Sequence, residues 1–417
     1  MQRRWGELFA CAGLLIILTA TLIPLPGQAQ AAKATQLWCL VCGDYGGVDV
    51  IDNIILFIPL AFGLRLMGLP ARTVVLAGAG LSLSLELLQL TLIPGRDASL
   101  SDLLTDTLGS WIGALAGAHW PGLVRPTQTL AARLAAVGSV LWLILQGGTG
   151  FLLKPWVPVG PLWSDWSPDL AGRRPFSGRM GFASVSGIAV PEGSVQRASE
   201  LHHRLARGDI RLELEIKPGA PEPHWSSIFQ LSGRRRRAVL LVEALGTSLA
   251  FQAPARAQVL RLRTPRLLIE DALGGSGSPV RLLAGERDDT LWGQVGPPTN
   301  RHAMRALGAS QGWMLITPFT YTPGGEAALV TAGWLAFLLG PIAYWWKRAS
   351  TGVGSLAGLG LLLLTGLGLI PLLLGYPPVS WSEWVGGLLG ASAGCAVAHR
   401  GPYCGKRCDS PSIRESC

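Results

Sequence analysis

The sequence predicts a polytopic α-helical membrane protein of about eight spans with an inserted extracytoplasmic β-sandwich domain. Mean hydropathy is +0.37 and only 15% of the residues are charged, a composition far from that of soluble globular chains. Apolar residues gather in runs that reach the roughly 20 residues needed to cross a bilayer. One stretch of about 170 residues, Lys154 to Glu326, lacks any such run and is rich in Arg, Gly and Pro.

Eight runs qualify as spans. They are Leu8 to Pro26, Val50 to Leu69, Thr73 to Ile93, Leu103 to Val124, Leu134 to Leu153, Ala327 to Trp346, Val353 to Gly375 and the shorter Trp384 to Ala398. Basic residues then orient them: Arg3 and Arg4, Arg65 and Arg72, Arg125 and Arg133, Lys347 with Arg348, and His399, Arg400, Lys406 and Arg407 all fall on one side. By the positive-inside rule that side is cytoplasmic, which expects both termini in the cytoplasm and a multi-pass location in the cytoplasmic (inner) membrane. The same placement accounts for the net charge of +9 without a nucleic-acid partner. "GQAQAAKA" after the first run offers small-residue cleavage positions like those of a secretory signal, and the expectation is nevertheless a retained helix. The resulting division is 1–153 helical, 154–326 β-sandwich, 327–399 helical and 400–417 cytoplasmic tail.

Within the insert the period changes. "DIRLELEI" (Asp209 to Ile216) alternates strictly, and "SSIFQLSG" and "AVLLVEALGTSLAFQA" follow with Gly and Pro turns between them, the pattern of short strands in a sandwich. A strand ending "EIKP" followed by "SSIFQLSG" and "GTSLAFQ" resembles the concanavalin A-like, or laminin G-like, lectin and glucanase sandwich. Glu213 and Glu215 alternate on one strand. Paired carboxylates suit glycoside hydrolysis, but an exposed strand face has the same look. "GRRRR", Arg234 to Arg237, occupies a hairpin loop, where it can meet head-group phosphates or an acidic polysaccharide, or serve as a solvated turn.

The stretch "ELLQLTLIPGRDASLSD", Glu86 to Asp102, sets ionisable residues between two spans. Such residues cost several kcal/mol in lipid unless they face partners or a cavity, so they are candidate functional groups. Ser82, Glu86 and Gln89 share one helix stripe, and Asp102, Asp106, Gly109, Gly113 and Gly117 form another that lets a neighbouring helix approach. Asp49, Asp52 and Asn53 open the second span on the same side as Arg96 and Asp97. The expectation is one outward-facing polar pocket of Asp49, Asn53, Glu86, Gln89, Arg96, Asp97, Asp102 and Asp106.

At these residues "DNIILFIPLAFGL" and "ELLQLTLIPGRDASLSDLLTDTLGSWIGALAG" resemble the VanZ-like family over roughly Leu8 to Val124. The resemblance carries over Asn53, Phe57 and Pro59, then Glu86 and Gln89, then Arg96, Asp102, Gly109 and Gly113. Asp106 stands where the family usually has Asn, so it must be protonated or paired. The family takes its name from a protein associated with tolerance to the glycopeptide teicoplanin, which implies the cell envelope but no settled chemistry.

Cys39 and Cys42 in "WCLVCGDYG" stand in the loop before Asp49. They form a disulfide candidate in an oxidising compartment, since a zinc site needs four ligands and no second pair accompanies them outside. No metal and no cofactor are implied. "SEWVGGLLGASAG" echoes the fourth span, with Glu383 seven residues before Gly390 as Asp102 is before Gly109.

Three functions fit. The chain recognises an envelope glycan, exopolysaccharide or lipid-linked precursor, with membrane lipids as further partners and Arg96 pairing an anion, in a role linked to glycopeptide tolerance or polysaccharide assembly. Alternatively it is an enzyme in which Glu86 is the general acid or base and Asp102 assists, though no nucleophile and no His stand near. In the third case it is a scaffold whose polar set only locks helices together.

Overall fold

The computed structural model describes residues 2–23, 41, 43, 45–93, 99–170, 174–206, 210–233, 238–274, 277–317, 324–350 and 352–400. Arg96, Asp97, Cys39, Cys42, Arg234 to Arg237 and the 401–417 tail lie outside the described residues.

All eight apolar runs form helices: α1 (Gln2–Leu22), α2 (Gly46–Leu66), α3 (Ala71–Leu92), α4 (Leu100–Val124) and α5 (Gln128–Leu153) precede the insert. Inside the insert stands α6 (Ala198–Ala206), and after it come α7 (Gly324–Ala349), α8 (Val353–Leu373) and α9 (Trp381–Arg400). Among the described residues, α1, α2, α3, α5, α7 and α8 are long and apolar enough to cross a membrane. The eight expected spans thus become six by that measure. Helices α4 and α9, which carry Asp102, Asp106 and Glu383 among many small residues, fall outside it.

By contact the chain divides into two compact units, 1–118 with 149–324 and 119–148 with 325–417. In the first unit small residues bring backbones together. A Cβ on Gly13 of α1 would stand 2.5 Å from the Leu60 nitrogen of α2, and one on Gly113 of α4 would stand 2.5 Å from the Ile58 carbonyl. Gly109 meets Ile54 and Gly117 meets Arg65 in ascending order, so α2 and α4 run parallel. Helix α2 ends in a Schellman turn: Gly68 takes φ +99°, and the Leu69 and Gly68 amides donate to the Leu64 and Arg65 carbonyls. Pro70 then precedes α3, where its missing N–H costs nothing.

The second unit repeats this device. Gly386, Gly390 and Gly394 of α9 abut Ala332, Ala336 and Gly340 of α7, again in parallel order. The echo read from the sequence is therefore closer than one spacing, and its partner is Asp106: glycines follow Glu383 at the same intervals as Gly109, Gly113 and Gly117 follow Asp106. Both carboxylates are about 6% exposed. Each accepts from a serine hydroxyl, and each has a second oxygen without a hydrogen-bond partner. The unit closes on Trp142, Leu335, Leu339, Ile342, Leu362, Leu363 and Leu367, where a π-helical turn in α8 seats Gly366 against the Trp142 ring.

The insert folds as two mainly antiparallel sheets, their strands numbered here in chain order. They are β1 (Trp163–Trp166), β2 (Arg174–Pro175), β3 (Arg179–Val185), β4 (Ile188–Ala189), β5 (Gly193–Ser194), β6 (Ile210–Lys217), β7 (Glu222–Ser232), β8 (Ala238–Gly246), β9 (Ser248–Gln252), β10 (Arg266–Ile269), β11 (Val280–Arg287), β12 (Thr290–Val295) and β13 (His302–Ala306). One sheet has the order β10-β9-β8-β7-β1-β5, with β2 added parallel to β7. The other has the order β13-β12-β11-β6-β3-β4. The alternation read in "DIRLELEI" sends Leu212, Leu214 and Ile216 fully inside while Arg211 and Glu215 face out. Gly293 of β12 lies against Ile269 and Leu267 of β10, so the sheets pack face to face. Glu213 pairs with Arg281 on the outer face, the solvated arrangement rather than a carboxylate dyad.

Candidate functional site

The polar residues of the first unit sort themselves by helix direction. Because α2 and α4 run parallel and α3 runs against them, the start of α2, the end of α3 and the start of α4 lie at one end of the bundle. Glu86, one turn and a half before the end of α3, accepts the Ser99 amide at 2.6 Å, which ties the helix to the turn ahead of α4. One turn earlier on the same stripe, Ser82 donates to Asp106 at 2.7 Å. Ser82 and Asp106 are buried, and Asp102 lies within electrostatic range of both Glu86 and Asp106. Glu86, Asp102 and Asp106 thus form one acidic cluster, and Asp106 Oδ1 has no hydrogen-bond partner. Of the two alternatives expected for Asp106, protonation or pairing, the structure shows only that one oxygen is hydrogen-bonded by Ser82.

Gln89, also buried, donates to the Thr21 carbonyl at the end of α1. It links α1 to α3. Asn53 is half-buried beside Ile54, the residue that Gly109 touches.

Asp49 and its neighbour Asp52 keep different company. Both are exposed at the start of α2, and the charges bearing on them are those of Arg263 and, for Asp52, of Asp49. Arg263 lies in the sheet domain, just before β10. Its guanidinium sits 4.9 Å from the Tyr45 ring, while Arg266 donates to the Tyr45 hydroxyl at 2.6 Å and pairs with Glu243, both charges being buried. Arg261 donates to the Val41 and Gly43 carbonyls, and Gly47 abuts Leu260. The sheet domain is therefore seated on the same end of the bundle as the acidic cluster. Sequence reasoning missed Tyr45, Arg261, Arg263 and Arg266, because nothing local relates residues more than two hundred positions apart.

The stretch that builds the cluster is also the stretch with known kin. The VanZ/LLP1 family model matches residues 11–120. The matched segment runs from within α1 through most of α4 and is similar to that family. No curated protein and no solved structure matches the chain. The two-sheet architecture is thus established by the fold itself, and no solved structure carries the kinship to lectins or glucanases.

Chemically, carboxylates offer hydrogen-bond acceptors to hydroxyl or ammonium groups; the Ser99 amide already donates to Glu86 and the Ser82 hydroxyl to Asp106. Among the described residues no group of three or more His, Cys, Asp and Glu is arranged to hold a metal ion. Cys11 and Cys395, both in helices, are free thiols.

Proposed function

We propose that the chain is a cell-envelope membrane protein that recognises a glycan or a lipid-linked glycan precursor. The observation that carries this reading is the acidic cluster of Glu86, Asp102 and Asp106 in the VanZ-like segment, at the bundle end on which the sheet domain sits. A buried acceptor without a donor, Asp106 Oδ1, is expensive in a low-dielectric setting unless a ligand group completes it. Hydroxyls and amines of a sugar head group have the right polarity. A pyrophosphate would need Arg96.

The reading sets the sheet domain and the cluster outside the cytoplasm, both termini inside, and the helices in the cytoplasmic membrane. It draws support from Arg65 and Arg72 at the α2–α3 turn and from Lys347 and Arg348 at the end of α7, positions the positive-inside rule gives to the cytoplasm. Recognition is favoured over catalysis because, among the described residues, the hydrogen bond to Glu86 comes from the Ser99 backbone amide and not from a serine hydroxyl, cysteine or histidine in a nucleophile–base pair.

The test is equilibrium binding of lipid-linked and free oligosaccharides to the full-length protein in detergent, beside Glu86→Gln and Asp106→Asn. Weaker binding by folded variants supports recognition. Turnover abolished by Glu86→Gln would establish an enzyme instead, and absence of binding with normal assembly would establish a scaffold.

A further inference from the structure

The outer face of the six-stranded sheet carries a groove of ≈ 1050 Å³ that the sequence did not announce. Its floor is Trp292 of β12. The residue opposite it on β11 is Gly285, where any Cβ would strike the indole ring at 2.9 Å. A Cβ there would also strike the Ile210 carbonyl, so glycine serves both the close approach of β6 and the ring that lies across β11. On the other side Trp292 pairs with Met304 of β13, which is 71% exposed, so an apolar platform spans three strands in the middle of a polar face.

Around that platform stand groups of both signs. Arg211 of β6 is exposed and its guanidinium has no ion pair among the described residues. Arg287 stands at the head of the β11–β12 hairpin, only 3.7 Å from Asp288 with both side chains in solvent, a pair of negligible strength. Arg204 of α6 forms a wall but is engaged with Glu200 at 2.7 Å. Glu213 and Asp288 add acceptors, and Ser184 and Thr290 add hydroxyls.

We propose that this groove binds an acidic oligosaccharide, a sugar ring stacking on Trp292 and its carboxylate or sulfate meeting Arg211 and Arg287. An aromatic face ringed by alternating donors and acceptors suits a ligand with an apolar ring face and many hydroxyls. A bare polyanion would be repelled by the solvent-exposed Asp288. A neutral glycan would leave Arg211 and Arg287 unused. The volume, at the upper end of the roughly 300–1,000 Å³ of small-ligand sites, fits more than one sugar unit. The inference rests on the reading that the protein recognises an envelope glycan, and it names the surface and the ligand class.

The experiment measures binding of a uronic-acid oligosaccharide, a neutral glucan oligosaccharide of equal length and a polyphosphate of equal charge to full-length protein in detergent. Variants are Trp292→Ala, Trp292→Phe and Arg211→Glu, the last a surface change that leaves the sheet core untouched. The expected result is preference for the uronic acid, a loss of more than about tenfold in Trp292→Ala that Trp292→Phe largely restores, and a similar loss in Arg211→Glu. Should Trp292→Ala fail to fold, Arg211→Glu decides alone: unchanged uronate affinity overturns the proposal. Equal binding of the neutral glucan overturns the acidic class while leaving glycan recognition standing. Polyphosphate binding as tight as uronate binding, indifferent to Trp292, overturns the saccharide. Binding of no saccharide overturns this site, and the broader reading then depends on the lipid-linked probes alone.

Discussion

Replacing Glu286 by Gln should remove a pH dependence that the sheet domain builds into itself. Glu286 continues the inward-facing row of Val280, Leu282 and Ala284 on β11, is 2% exposed, and has an Oε1 without a hydrogen-bond partner. Burial pushes its carboxyl up from an ordinary 4.5 to about 8, with Asp289 raising it further and Lys154 opposing. A carboxyl with a raised folded pKa binds its proton more tightly when folded, so stability is greatest below the unfolded pKa and falls as pH rises through the folded one. Between about pH 4.5 and about pH 8 the loss is at most about 1.4 kcal/mol per unit, several kcal/mol over the window, and it levels off above. Glutamine keeps the shape and cannot ionise. Thermal unfolding of full-length protein in detergent, followed by tryptophan fluorescence from pH 5 to pH 9, should show a falling midpoint in the wild type and a markedly flatter one in Glu286→Gln. Parallel slopes for the two proteins, or a flat wild-type profile, would refute the reasoning.

Other sites give equally direct outcomes. Arg266→Ala removes the guanidinium that pairs with Glu243, 1% exposed, and breaking this buried ion pair should cost about 3–5 kcal/mol, read as a lower unfolding midpoint. Tyr45→Phe, which removes only the hydroxyl that Arg266 reaches, should cost about 1.5–3 kcal/mol by the same measurement. Gly113→Leu forces a side chain where a Cβ already meets the Ile58 carbonyl. A loss of about 1–3 kcal/mol or more is expected, seen as reduced recovery of monodisperse protein from detergent.

The helices were legible because length and apolarity are local properties: each of the eight runs became a helix, with ends displaced by a few residues where small or basic residues extended them. Strand β6 was legible for the same reason, its alternation being visible in eight consecutive letters. The acidic cluster was partly legible. Helical spacing placed Glu86 beside Ser82 and Asp102 beside Asp106, and short turns brought the stripes together. That Asp49 would answer to Arg263 was not, since the contact depends on how a domain inserted far along the chain seats itself on α2. The groove was hidden likewise, its residues coming from β3, α6, β6, β11, β12 and β13, and its key feature being a glycine opposite a tryptophan, a relation that exists only once register is fixed. The match of Glu383 to Asp106 rather than Asp102 needed the helix contacts that show which glycines face a neighbour.

The central claim is that the first unit holds the head group of a glycan or lipid-linked precursor through Glu86, Asp102 and Asp106. Its most direct test is mass spectrometry of what co-purifies with the full-length protein from its own membranes, compared with Glu86→Gln at equal yield and equal unfolding midpoint. The account predicts a saccharide-bearing lipid or free glycan bound to the wild type and depleted in the variant. Equal occupancy in both, or phospholipid alone in both, would contradict it.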